Sequence, residues 1–256
     1  MKKRCTLIQL CLLLVLYAGS VHAESAEDAW YQLVGESFAK RPAFSFVENN
    51  PELPNVLIYG DSISIGYTNR VRELLQGQAN VYRLYCNGGD SGSFITKMQK
   101  MYETMRNGSL EKSWTFGWDV IHFNVGLHDL KYLSDGKLNK EDGEQVMSVE
   151  EYQQNLREIV AYLEDMDSDA KLIFATTTPV PEGEPGRFAG DAQKYNQAAL
   201  DVMREYPEIE INDLYTFTKP HQPEWWTKPG NVHFNNVGRN AQGGEVARIL
   251  LASLSR

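Results

Sequence analysis

Four short segments of the chain hold the side chains that acyl transfer needs. Gly60-Asp61-Ser62 offers a serine hydroxyl as a nucleophile, followed by Ile63-Ser64-Ile65-Gly66. Asn87-Gly88-Gly89-Asp90-Ser91-Gly92 offers backbone N–H groups, because glycine lets a main chain approach a ligand closely. Asn124-Val125-Gly126-Leu127-His128-Asp129 and Gly230-Asn231-Val232-His233-Phe234 each add an imidazole. Ester hydrolysis by serine requires a nucleophile, a base to take its proton, and donors for the developing oxyanion. The chain supplies these in the order serine, glycine, polar side chain, histidine. Taken singly, each segment has an ordinary reading as a helix N-cap, a turn or a core histidine. Of the other histidines, His22 falls in the N-terminal leader. His122 alternates inside an apolar run and reads as core, and His221 lies in a proline-flanked loop without an evident partner.

The elements around these segments put them on one edge. Val56–Tyr59 is a continuous apolar run, as a parallel strand covered on both faces would be. Arg70–Gln76 suits a helix, Val81–Tyr85 a second strand and Val120–Phe123 a third. Ser148 and Glu151 form a capping box, after which Tyr152, Leu156, Ile159, Val160 and Leu163 recur on one helical face. Leu172–Ala175 is a fourth strand, a helix spans about Tyr195–Met203, and Ile209–Ile211 is a fifth strand. A final helix runs from about Asn236. Strands alternating with helices predict a parallel α/β sheet, which binds ligands beyond the carboxyl ends of its strands. All four chemical segments follow such ends or precede the last helix.

With these residues in place, the chain resembles the SGNH/GDSL hydrolase superfamily from about Asn55 to Leu254. The resemblance implies a flavodoxin-like, three-layer α/β/α sandwich around a five-stranded parallel sheet. It implies Ser62 as nucleophile and His233 as general base, with no metal and no cofactor. The oxyanion hole would be made by the N–H groups of Ser62 and Gly89 together with His128, and Asp61 would brace the turn. Two departures stand out. His128 occupies the place of the family's asparagine; neutral, it can still donate one N–H, and protonated it would make activity sensitive to pH near neutrality. Gly230 occupies the place of the family's aspartate, so the second nitrogen of His233 needs another partner. Asn231, a backbone carbonyl or an acidic residue such as Glu224 are the options, and an active dyad is expected.

Composition narrows the setting. The chain has 256 residues, 42% of them hydrophobic, too many for disorder and enough for a core without disulfides. Residues 1–23 begin with Lys2, Lys3 and Arg4, continue as an apolar stretch and end in Val21-His22-Ala23, the pattern of a cleaved secretory signal peptide. Residues 24–54 read as an N-terminal helical extension and linker, and 55–256 as the hydrolase domain. The signal holds three of the 25 basic residues and none of the 34 acidic ones, so the mature balance is 22 against 34, or −12. Such a surface disfavours nucleic acid and stable membrane association. Of three cysteines only Cys86 survives cleavage, and it reads as a small buried hydrophobe. A secreted or periplasmic esterase of an acylated carbohydrate, or of another small ester, is therefore expected. Trp225 and Trp226 are candidates for stacking on a sugar and Arg187, with Glu182 and Glu184, for polar contacts. A lipid-ester or thioester hydrolase, or a catalytically impaired glycan-binding relative, is the alternative.

Overall fold

The computed structural model describes residues 23–255, so the signal-peptide reading lies outside the described residues. In chain order the elements begin with α1 (Ala26–Val34) and α2 (Glu36–Ala39), then β1 (Asn55–Tyr59), α3 (Ser62–Leu74), β2 (Asn80–Arg83) and α4 (Phe94–Met105). Next come β3 (Val120–Phe123), three short strands β4 (Tyr132–Ser134), β5 (Lys137–Leu138) and β6 (Glu144–Gln145), then α5 (Val149–Met166) and β7 (Lys171–Ala175). The chain closes with α6 (Asp191–Met203), β8 (Glu210–Asn212), α7 (Leu214–Thr218) and α8 (Asn236–Leu254).

The expected five-stranded parallel sheet is present, in the order β2-β1-β3-β7-β8. Its central strands are hydrophobic on both faces because helices cover both. Val56, Leu57, Ile58 and Tyr59 of β1 and Val120, Ile121 and Phe123 of β3 are all fully buried. Helices α3 and α8 pack together on one side, while α5 packs with α6 and α4 on the other. His122 is the polar exception within β3. It is fully buried, with Nε2 3.1 Å from the amide nitrogen of Asn212 on β8. Residues before β1 share the same core: Trp30 of α1 donates to the Phe44 carbonyl and packs, tilted, against Trp114.

Several boundaries differ from expectation for local reasons. The helix after β1 starts at Ser62 rather than near Arg70, because the Asp61 side chain caps it by accepting from the Ile63 N–H. The N-terminal helical stretch is broken at Gly35, which has φ +74°. Helix α4 and the antiparallel sheet β5-β4-β6 are additions to the expected list. This small sheet follows the His128 segment and projects Leu133 and Leu138 to the same edge as Ser62.

Candidate active site

Ser62 is the first residue of α3, so its N–H has no acceptor within the helix and points out of the N-terminus. Only glycine fits before it: a Cβ on Gly60 would lie 2.9 Å from the Ser64 side chain. The second glycine segment is tied to this turn. Gly88 donates to the Gly60 carbonyl at 3.0 Å, and a Cβ on Gly88 would meet Gly60 backbone at 2.9 Å. Beneath the turn, Ser64 donates to the Asp61 carbonyl and accepts from the fully buried Arg83 of β2. Sheet and loop thus hold the serine in a fixed place.

His233 arrives from the loop before α8, with Nε2 2.9 Å from Ser62 Oγ. Its other ring nitrogen, Nδ1, lies 2.9 Å from Asn231 Oδ1. The same oxygen accepts from the His233 backbone N–H at 2.8 Å. A backbone N–H can only donate, so the amide atom facing it is the oxygen, and Nδ1 must then carry the proton. That leaves the Nε2 lone pair facing the serine hydroxyl, as a base requires. Glu224 is exposed, and the His233 ring nitrogens bond to Asn231 and Ser62 rather than to it. Burial depresses the His233 pKa; the Asp61 carboxylate opposes this and Arg187 adds to it. The imidazole is therefore neutral at pH 7.

Gly230, where the family's aspartate is expected, has φ +68°, and a Cβ there would sit 2.8 Å from the Gly183 carbonyl oxygen. The backbone path strains any side chain at this position, an aspartate included. The residue next to it supplies the partner instead.

His128 lines the same cavity as Ser62 and His233. Its Nδ1 is 3.2 Å from Lys131 Nζ, and an ammonium only donates, so Nδ1 accepts and the proton resides on Nε2. Burial lowers the pKa of His128 to about 4. It stays neutral near pH 7, so titration near neutrality, considered above for the protonated form, does not occur at this residue. Gly89 differs from expectation. Its backbone is left-handed at φ +70°, and its N–H already donates to Asn87 Oδ1 at 3.0 Å. It is therefore not a free oxyanion donor, and Asn87 rather than Gly89 lines the cavity.

The cavity holds about 610 Å³, within the roughly 300–1,000 Å³ usual for small-molecule sites. One wall is a buried ion pair, Glu184 Oε1 with Arg187 Nη1 at 2.8 Å. Arg187 also donates to the Leu127 carbonyl and Glu184 accepts from the Gly186 N–H. These two residues shape the wall more than they offer free polar groups. Trp225 is displaced from its expected role: it is buried, stacked on His221 at 3.9 Å between ring centroids, and does not line the Ser62 cavity. Trp226 lines a neighbouring cavity of about 500 Å³ with Tyr215 and Lys219, which shares Pro229 and Gly230 with the first. Contributions that sequence reasoning missed are those of Lys131, Lys228, Asn87 and the hairpin leucines. Lys131 lies three residues after His128, a helical-turn spacing that hinted at the contact. Among the described residues no group of three or more metal-ligating side chains converges, and no helix is long and apolar enough to cross a membrane.

The family model for GDSL-like lipases and acylhydrolases matches residues 58–241. Solved structures share the fold at low identity. A lipase/acylhydrolase from Enterococcus faecalis is 16% identical with a TM-score of 0.57, covering 77% of this chain and 95% of its own. An acetyl xylan esterase is 16% identical with a TM-score of 0.58, covering 77% of this chain and 99% of its own. An acetyl-xylooligosaccharide esterase from Geobacillus is also 16% identical, with a TM-score of 0.54, covering 76% and 93%. No curated protein sequence matches the chain.

Proposed function

Because the chain belongs to the GDSL-like lipase/acylhydrolase family, a group of carboxylic ester hydrolases, we propose that it is an exported serine esterase removing short acyl groups, acetyl above all, from a carbohydrate. The reading is carried by one observation: Ser62 Oγ, His233 Nε2, His233 Nδ1 and Asn231 Oδ1 form a continuous hydrogen-bonded line with 2.9 Å at each end. Ser62 Oγ attacks the ester carbonyl carbon while His233 takes its proton. The oxyanion is met by the Ser62 N–H at the positive end of α3 and by the Nε2–H of His128. His233 then gives its proton to the departing sugar hydroxyl, leaving an acyl-serine. A water, deprotonated by the same imidazole, releases the acid and restores Ser62.

Asn231 holds the imidazole in its working tautomer but brings no negative charge to the imidazolium. Asp61 supplies part of that charge from a distance while capping α3. The carbohydrate assignment rests on the predicted export signal, on the polar side chains Asn87, Lys131 and Lys228 among those that line the cavity, and on two acetyl esterases of sugars sharing the fold. Trp226 and Tyr215 in the adjoining cavity offer aromatic faces to a neighbouring sugar ring. Two measurements test the reading. A fluorophosphonate probe should label the Ser62 peptide, identified by mass spectrometry, and no adduct on folded protein would reject an activated serine. Turnover of p-nitrophenyl acetate should exceed that of the octanoate, and the reverse preference would replace the acetyl assignment with a lipid-like ester.

A further inference from the structure

The charge at the catalytic cavity runs against the charge of the molecule. The whole chain carries a formal −9. The cavity wall nevertheless includes two lysines, Lys131 and Lys228, and its one carboxylate, Glu184, is neutralised by Arg187. Among the described residues neither lysine forms an ion pair. Lys131 is half-buried and uses one of its three N–H groups on His128. Lys228 is exposed at the rim, two residues before Gly230. The carboxylates whose fields reach Lys131 do not line the cavity and have other work. Asp129 is buried and accepts from Ser91, and Asp90 accepts from the Ser93 N–H.

An unpaired ammonium that is half desolvated beside the nucleophile is costly unless something anionic meets it. Arg187 and Lys97 add like charge to the field at Lys131. Lys228, exposed at the rim, is open to solvent, but a neutral sugar would bury Lys131 without compensation. We propose that the natural substrate carries a negative charge close to its ester: an acylated sugar bearing a carboxylate or a sulfate half-ester, seated between Lys131 and Lys228 with the acyl group at Ser62. This rests on the esterase reading above and names the sugar class it takes. It is compatible with an acidic surface, because repulsion from distant carboxylates is screened within a Debye length of about 10 Å at 0.1 M salt, while contacts inside the cavity are screened far less. A cleft lined by one sign of charge raises the encounter rate of the opposite charge by roughly 10- to 1,000-fold.

The test uses three small substrates with one ring and one acetyl group: acetylated methyl galactoside, its galacturonide counterpart, and its 6-sulfate. At 20 mM ionic strength the charged sugars should show a kcat/KM at least about tenfold above the neutral one. The advantage should shrink as NaCl is raised to 0.5 M. Lys228→Glu should cut the ratio of charged to neutral kcat/KM several-fold, with Lys228→Ala intermediate. The better of the two charged sugars identifies the anion as carboxylate or sulfate. A neutral sugar turned over as well as both charged ones, or a ratio indifferent to Lys228→Glu, would overturn the proposal. Absence of p-nitrophenyl acetate turnover by the unaltered, folded protein would overturn the esterase reading, and this proposal with it.

Discussion

At the scale of single residues, the unusual feature is an asparagine in the place where an acid orients the catalytic imidazole. Asn231 does the geometric half of that work, since its oxygen accepts from both Nδ1 and the backbone N–H of His233. It cannot do the electrostatic half. Asn231→Ala should therefore lower kcat by about 10²–10⁴-fold with little change in KM, because tautomer and aim are both lost. Asn231→Asp should act in the opposite sense. A carboxylate at 2.9 Å favours the protonated ring and raises the His233 pKa by roughly one to three units. In the unaltered protein that pKa is depressed by burial, so the acid limb of kcat/KM lies below the ordinary histidine value of about 6.5. With Asn231→Asp the limb should move up in pH, and kcat should rise on the alkaline plateau. An acid limb already at or above 6.5 in the unaltered protein would contradict the burial argument. Part of this was legible from residue types: Ser62 and His233 were identified from their motifs, while Asn231 was one of three options for the second ring nitrogen, which the structure resolves in its favour. The engagement of the Gly89 N–H was not, because it depends on the Asn87 side chain folding back on its own turn, which no spacing announces.

At the scale of elements, the loops after the strands decide what the sheet can hold. The stretch Pro229–Val232 takes its shape from the left-handed Gly230, pressed on the Gly183 carbonyl. Restoring the family's aspartate by Gly230→Asp should not restore a triad. It imposes a positive φ on a side chain, costing about 1–3 kcal/mol, and forces the two loops apart. The expected outcome is a lower melting temperature together with lower activity; a gain in kcat would show that the loop can rearrange around an acid. Helix α5 gives a cleaner case of local coding. The Ser148 hydroxyl accepts from the Glu151 N–H at 3.2 Å and the Glu151 carboxylate accepts from the Ser148 N–H at 2.8 Å. Ser148→Ala should cost about 1 kcal/mol, or roughly 2–4 °C in Tm, with kcat unchanged. That capping box was readable because it is built within four residues. Helix α4 carries an equally plain stripe, Phe94, Met98, Met101 and Met105, all fully buried. It was obscured by the glycine-rich segment leading into it. The hairpin β4–β6 was hidden for a different reason: its strands are two or three residues long, too short for alternation to register.

At the scale of the whole molecule, the sheet was legible because its central strands are buried on both faces and so read as unbroken apolar runs, with His122 legible as a core histidine among them; the burial of His128 and Asp129 in the loop after β3 was not. These groups tie stability to pH. His122 and His128 both have pKa values lowered to about 4 by burial, so between pH 6.5 and 4 each is neutral when folded and protonated when unfolded. The unfolded chain binds more protons there, and stability falls as pH falls. Asp129 works the other way. Burial raises its carboxyl to about 6, so between about pH 6 and 4 it holds a proton when folded and has lost it when unfolded. Two protons taken up on unfolding against one released leave a net of one, which corresponds to roughly 1.4 kcal/mol per pH unit. Urea unfolding should accordingly show lower stability at pH 5 than at pH 6, with the depressed His233 adding to the same slope. His122→Asn removes one of the two opposing histidine contributions and should flatten the dependence. Asp129→Asn, which keeps an oxygen for Ser91 but removes the titration, should steepen it towards two protons. If His122→Asn left the slope unchanged, the buried imidazole in β3 would have to be charged in the folded protein, and the sheet would owe its pH response to other groups.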